Sequence, residues 1–180
     1  MSNAWDTFHS RAAAIRAVVE ELDTTATTDP RWTDELAEVF DGPDDVLVAL
    51  HDVWTRRVTA RVEMALDLGQ DLPAESVENA WFEVAAELPG VRRVLDAHAQ
   101  DEVLQQLDRH EHRLLAIAAG IVSPSDPLEY AARAGRRLVT NLRAQHVEPS
   151  VPRPRLGERM GNLIRWQRAV TNPQERAVAS

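Results

Sequence analysis

No cysteine and no lysine occur in the 180 residues, so every one of the 20 basic side chains is an arginine. Without a thiol there is no disulfide, no Cys-ligated zinc or iron–sulfur centre and no Cys nucleophile. Without lysine there is no Schiff base and no phosphate-binding lysine of the Walker type. Glycine is scarce at seven residues, and neither a glycine-rich phosphate loop nor a Gly-x-Ser-x-Gly nucleophile turn is present. No apolar run approaches the roughly 18 residues that a membrane span needs, and Met1 to Asp6 lack the basic start and apolar core of a secretory signal. These absences point to a cytoplasmic chain with no membrane partner.

What is there is helical. Apolar residues make up 44 % of the chain and charged residues 27 %, enough for about one globular domain that buries roughly 70 % of its extended-chain surface. Trp5, Phe8, Ala12, Ile15, Val19 and Leu22 recur in steps of three and four, one stripe of a helix over about residues 4 to 23. Asp29-Pro30 reads as an N-cap followed by proline at the first helical position, opening a short helix that turns Trp32, Leu36 and Val39 or Phe40 inward. After the break at Asp41-Gly42-Pro43, a third helix carries Leu47, Leu50, Trp54, Val58, Val62 and Ala65 and stops at Gly69. A fourth begins at Pro73, with Val77, Trp81, Val84 and Leu88 on its inner face, and ends at Pro89-Gly90.

From Val91 the positions Leu95, Ala99, Val103, Leu107, His110, Leu114, Ile117 and Ile121 fit either one long helix or two helices meeting near Gln100. Asp126 and Glu129 have capping-box spacing around Pro127, ahead of a helix with Leu128, Ala131, Leu138, Val139 and Leu142 that runs to about Gln145. No segment alternates with strand period. The expected fold is an all-α, single-domain helical bundle of five to seven helices over residues 1–146. A Pro-rich connector over 147–155 then leads to a basic C-terminal arm helix over 156–180 with a frayed end.

Charge is segregated along the chain. The net charge is −9, but residues 1–125 hold 10 Arg against 24 Asp and Glu, whereas residues 126–180 hold 10 Arg against 5 acids. An acidic body repels phosphate backbones, which disfavours nucleic acid as a partner. The basic arm has few aromatics for base stacking and suits an acidic protein surface better. A lone helix of its length is marginal in water, so docking is what would order it. Leu156, Met160, Leu163 and Trp166 keep helical spacing there and are the expected contact residues, in cis or across a homodimer or other homo-oligomer. Association, and self-association first, is therefore the leading expectation, with no enzymatic activity and no cofactor implied.

The alternative is a bundle that binds a metal or small ligand, or a hydrolase, using His and carboxylates between helices. His98, Asp101 and Glu102 sit at i, i+3 and i+4 and can present an imidazole and two carboxylates to a divalent metal on one face. His51, beside Trp54 on the third helix, is the candidate further ligand. His110-Glu111-His112 is conspicuous, yet two histidines two apart on a helix diverge by about 200° and cannot share one ion. His110 falls on the apolar stripe and reads as a core or edge histidine. Glu35-x-x-Glu38 and Glu75-x-x-Glu78 have Mg²⁺-binding spacing, but the second pair opens a helix, where the macrodipole alone favours acids.

Overall fold

A computed structural model describes residues 2–25, 27–69 and 71–146, with side chains from residue 9 onward. Among them the chain is all-helical, with seven helices and no strand. They are α1 (Ser2–Thr24), α2 (Asp34–Ala37), α3 (Pro43–Leu68), α4 (Pro73–Glu87), α5 (Pro89–Ala97), α6 (Glu102–Ala118) and α7 (Leu128–Gln145). All of them belong to one unit, Met1–Pro149. The connector and arm expected at 147–155 and 156–180 lie outside the described residues, and with them Leu156, Met160, Leu163 and Trp166. No described helix is long and apolar enough to cross a membrane.

The third helix is the axis of the core. Pro43 occupies its first turn with Asp44 and Asp45, and Gly69 ends it in the left-handed region at φ 61°, where the missing Cβ removes the usual steric penalty. Its buried side chains are Val46, Leu47, Leu50, His51, Trp54, Val58 and Val62, the expected stripe with a histidine set into it. Trp54 meets Trp81 of α4 edge to face, with ring centroids 5.6 Å apart. Arg11 of α1 grips Asp45 through both guanidinium nitrogens, donates to the Val39 carbonyl at 3.1 Å and covers the Phe40 ring. That contact ties α1 to the start of α3, and the guanidinium holds the Asp45 carboxyl below the usual carboxylate range.

Two close backbone approaches require glycine. A Cβ on Gly90 would lie 2.4 Å from the Leu22 carbonyl carbon, and one on Gly135 would lie 1.8 Å from the His112 carbonyl oxygen. The first lets α5 cross α1 and the second lets α7 press onto α6, which share the most extensive interface in the bundle.

Several local expectations are corrected. For the segment from Val91 the two-helix alternative holds, as α5 and α6 broken at His98–Asp101 around Gln100. Thr33, not Asp29, caps α2 by accepting from Leu36 N, because the helix begins only at Asp34; Asp29 pairs with His98. Trp32 is 41 % exposed, while Leu36 and Phe40 are the buried members of that stretch. Asp126 does not cap α7; its carboxylate accepts from the Ser123 backbone N–H at 2.7 Å. His110 is exposed, because the break at His98–Asp101 resets the helical phase and turns Glu111 and His112 inward in its place.

Candidate metal centre between α3 and α6

The inward stripe of α6 is Leu104, Asp108, Glu111 and Leu115, spaced four, three and four residues apart. It places two carboxylates opposite His51, which α3 carries one turn before Thr55 and beside Trp54. His51 is 6 % exposed and Glu111 5 % exposed, while the Asp108 side chain, at 16 %, is the most accessible of the three.

His51 Nε2 lies 3.3 Å from Asp108 Oδ1 and 3.2 Å from Glu111 Oε2. Both distances are those of an ion pair, yet neither oxygen lies along the N–H direction, and Nε2 makes no hydrogen bond. One ligand atom from each of the three residues falls within 4.8 Å of the other two, the one such grouping among the described residues.

Around this trio the hydrogen bonds are specific. Trp54 Nε1 donates to Glu111 Oε1 at 3.0 Å, and the Thr55 hydroxyl donates to Glu111 Oε2 at 2.8 Å. The same hydroxyl lies 3.3 Å from His51 Nδ1. A hydroxyl carries one proton; with that proton given to Glu111, Thr55 Oγ1 can only accept from Nδ1–H. The Nδ1 proton is thereby fixed, and Nε2 is the atom left to face the two carboxylates.

Burial by itself lowers the His51 pKa, but the two carboxylates of Asp108 and Glu111 beside Nε2 outweigh it and push the imidazole up to about 9. For Glu111, burial raises the pKa, and the pairing with His51, the charge of Arg92 and the Thr55 bond bring it down to about 2. Arg92 is the buried counter-charge. Its guanidinium lies over Trp54, 4.6 Å from the ring centroid, and pairs with Asp96 at 2.8 Å; Arg143 of α7 reaches the same Asp96 oxygen at 2.9 Å. His112, one residue beyond Glu111, is buried with Nδ1 unpartnered, and burial lowers its pKa.

The four ligands expected from spacing are divided between two places. His51 is in the α3–α6 cluster, whereas His98 Nδ1 pairs with Asp101 at 2.7 Å and His98 Nε2 with Asp29 at 3.1 Å. Asp29 and Asp101 address opposite nitrogens of one ring, so they bracket the imidazole rather than share a point with it. Burial opposes protonation of His98, and the two carboxylates raise its pKa all the same. Glu102 is exposed at the first position of α6. Asp108, Thr55 and Arg92 are site residues that spacing within single segments does not single out, and Glu111 enters it only as the middle residue of His110-Glu111-His112.

The chain matches no protein-family model, no curated protein and no solved structure.

Proposed function

We propose that this chain is a metal-binding helical bundle whose centre is His51, Asp108 and Glu111. The observation that carries the reading is His51 Nε2, a buried nitrogen 3.2 and 3.3 Å from two carboxylate oxygens and hydrogen-bonded to neither. A tetrahedral or octahedral cation about 2.0–2.2 Å from each ligand would separate neighbouring ligand atoms by roughly 3.0–3.4 Å. It would also put each oxygen roughly 35–45° off the Nε2 axis. That is poor hydrogen-bond geometry and good coordination geometry. The second shell supports the same reading, since Thr55 orients the ring and Trp54 and Thr55 together hold both Glu111 oxygens.

In the metal-free protein a proton on Nε2 plays the cation's part, balancing Asp108 and Glu111. A dication replaces that proton and gains three anchored ligands at once. Elemental analysis of the purified chain tests this, together with melting in the presence of added cation. Binding near one ion per chain and a cation-dependent rise in Tm are expected, about 2.7 kcal/mol of stabilisation at a hundred times Kd. A Tm indifferent to every divalent cation, with no bound metal, would remove the reading.

A second reading, self-association through Leu156, Met160, Leu163 and Trp166 of the basic arm, is supported by charge segregation. The 10 Arg and 5 acids of residues 126–180 complement the 10 Arg and 24 acids of residues 1–125.

A further inference from the structure

The class of cation follows from the donor set. Resting on the metal-binding reading, we propose that the centre takes a first-row dication of the Zn²⁺, Fe²⁺ or Mn²⁺ kind, held by His51 Nε2, Asp108 Oδ1 and Glu111 Oε2, with its remaining coordination given to water. Mg²⁺ and Ca²⁺ are poor substitutes.

Three features argue for it. The first is chemical: an imidazole nitrogen suits borderline cations, whereas Ca²⁺ gathers six to eight oxygens and Mg²⁺ keeps most of its water. The second is the supply of further protein oxygens. The ligands stand in the middle of α3 and α6, where backbone carbonyls are taken up by the helices' own hydrogen bonds. The Thr55 hydroxyl is engaged with Glu111 at 2.8 Å, and Glu111 Oε1 is engaged with Trp54 at 3.0 Å. The third is burial. With His51 6 % and Glu111 5 % exposed, a bound ion sheds most of its hydration on that side, which Mg²⁺ resists and Zn²⁺ or Mn²⁺ tolerates. Asp108 is the more accessible ligand, so water completes the coordination from its side. Three protein ligands with at least one water is the arrangement of an open site, unlike the four protein ligands of a closed structural zinc site.

The test titrates the full-length, chelator-treated chain separately with Zn²⁺, Mn²⁺, Mg²⁺ and Ca²⁺. Binding is followed by calorimetry and by the Trp54 indole N–H resonance, assigned with Trp54→Phe. Zn²⁺ and Mn²⁺ are expected to saturate near one per chain and to perturb that resonance, at concentrations at least about tenfold below those needed for Mg²⁺ or Ca²⁺. Asp108→Asn, the least buried substitution, is expected to weaken Zn²⁺ binding at least about tenfold. Equal affinity for Mg²⁺ or Ca²⁺, lost in Asp108→Asn, would overturn the choice of cation and leave the centre standing. Failure of every ion to move the Trp54 resonance would overturn both. The calorimetric comparison among ions uses the wild-type chain alone and does not depend on any variant folding.

Discussion

Trp54 donates its indole N–H to Glu111 Oε1 at 3.0 Å, a buried bond that joins α3 to α6 across 57 positions of sequence. The same carboxylate accepts from Thr55 and faces His51, so Glu111 is where three side chains of α3 meet one residue of α6. Glu111→Ala would strand the Trp54 N–H and leave the His51 charge with Asp108 alone. Breaking a buried pair from one side costs about 3–5 kcal/mol, and a loss of that size in urea denaturation of the metal-free protein is expected. Glu111→Gln keeps an acceptor for Trp54 and is expected to lose less. Equal stability of Glu111→Ala and wild type would show that the cluster contributes nothing to the fold.

The metal-free protein should lose stability on the alkaline side. The His51 pKa rises from 6.5 to about 9 on folding, so its contribution is complete below pH 6.5 and disappears as pH climbs through 9. The loss is on the order of 3 kcal/mol. Glu111 acts in the opposite window: folding lowers its pKa from 4.5 to about 2, so its contribution is present above pH 4.5 and fades as pH falls through 2. Denaturation midpoints across pH 5 to 10 check the first statement. A flat profile from pH 6.5 to 9.5 would contradict it.

Thr55 touches the candidate centre only through its neighbours. Its hydroxyl orients His51 and bonds Glu111, so Thr55→Val removes a positioning group while keeping size and branching. Losses of ten- to about a hundredfold in metal affinity are usual for such partners, and that range is expected here by calorimetry. Unchanged affinity would mean that His51 and Glu111 are held by packing alone.

Gly135 controls how closely α7 can approach the strip of α6 that carries the cluster. Gly135→Ala would set a methyl group 1.8 Å from the His112 carbonyl oxygen, so the helices must separate. Overpacking of this kind costs about 1–3 kcal/mol. A lower Tm and a loss of unfolding free energy of that order are expected, although alanine is intrinsically the better helix former by about 1 kcal/mol. A stabilised variant would show that α6 and α7 are not so closely apposed.

The association reading is tested by deleting residues 147–180, the connector and arm together. A lower Tm, with a smaller oligomeric mass by light scattering if the arm is exchanged between copies, is expected. Identical mass and Tm before and after truncation would remove it.

Much of the bundle is legible in the residues themselves. Pro43, Gly69 and Pro73 mark real helix ends, and the Leu47, Leu50, Trp54, Val58, Val62 stripe of α3 is buried as its spacing indicates. The candidate centre was half legible. His51 stands out beside Trp54, but Asp108 and Glu111 are hidden by a phase error: a single stripe carried from Leu95 across the break at His98–Asp101 puts His110 inward and its neighbours outward. Restarted at Glu102, the pattern Leu104, Asp108, Glu111, Leu115 shows two carboxylates on the apolar face, and acids there demand a partner. Arg92 and Asp29 were beyond reach for a different reason. Arg92 pairs with Asp96 one turn on in its own helix, but its seat over Trp54, like the Asp29–His98 pair, joins distant segments, and only the tertiary fold brings those together.

Anomalous diffraction at the zinc absorption edge, from crystals of the full-length chain grown with Zn²⁺, addresses the centre most directly. One peak is expected between α3 and α6, about 2.0–2.2 Å from His51 Nε2 and from one oxygen each of Asp108 and Glu111. No peak there, with His51 Nε2–H instead donating straight to a carboxylate oxygen, would mean that the cluster is a buried ion pair and binds no cation.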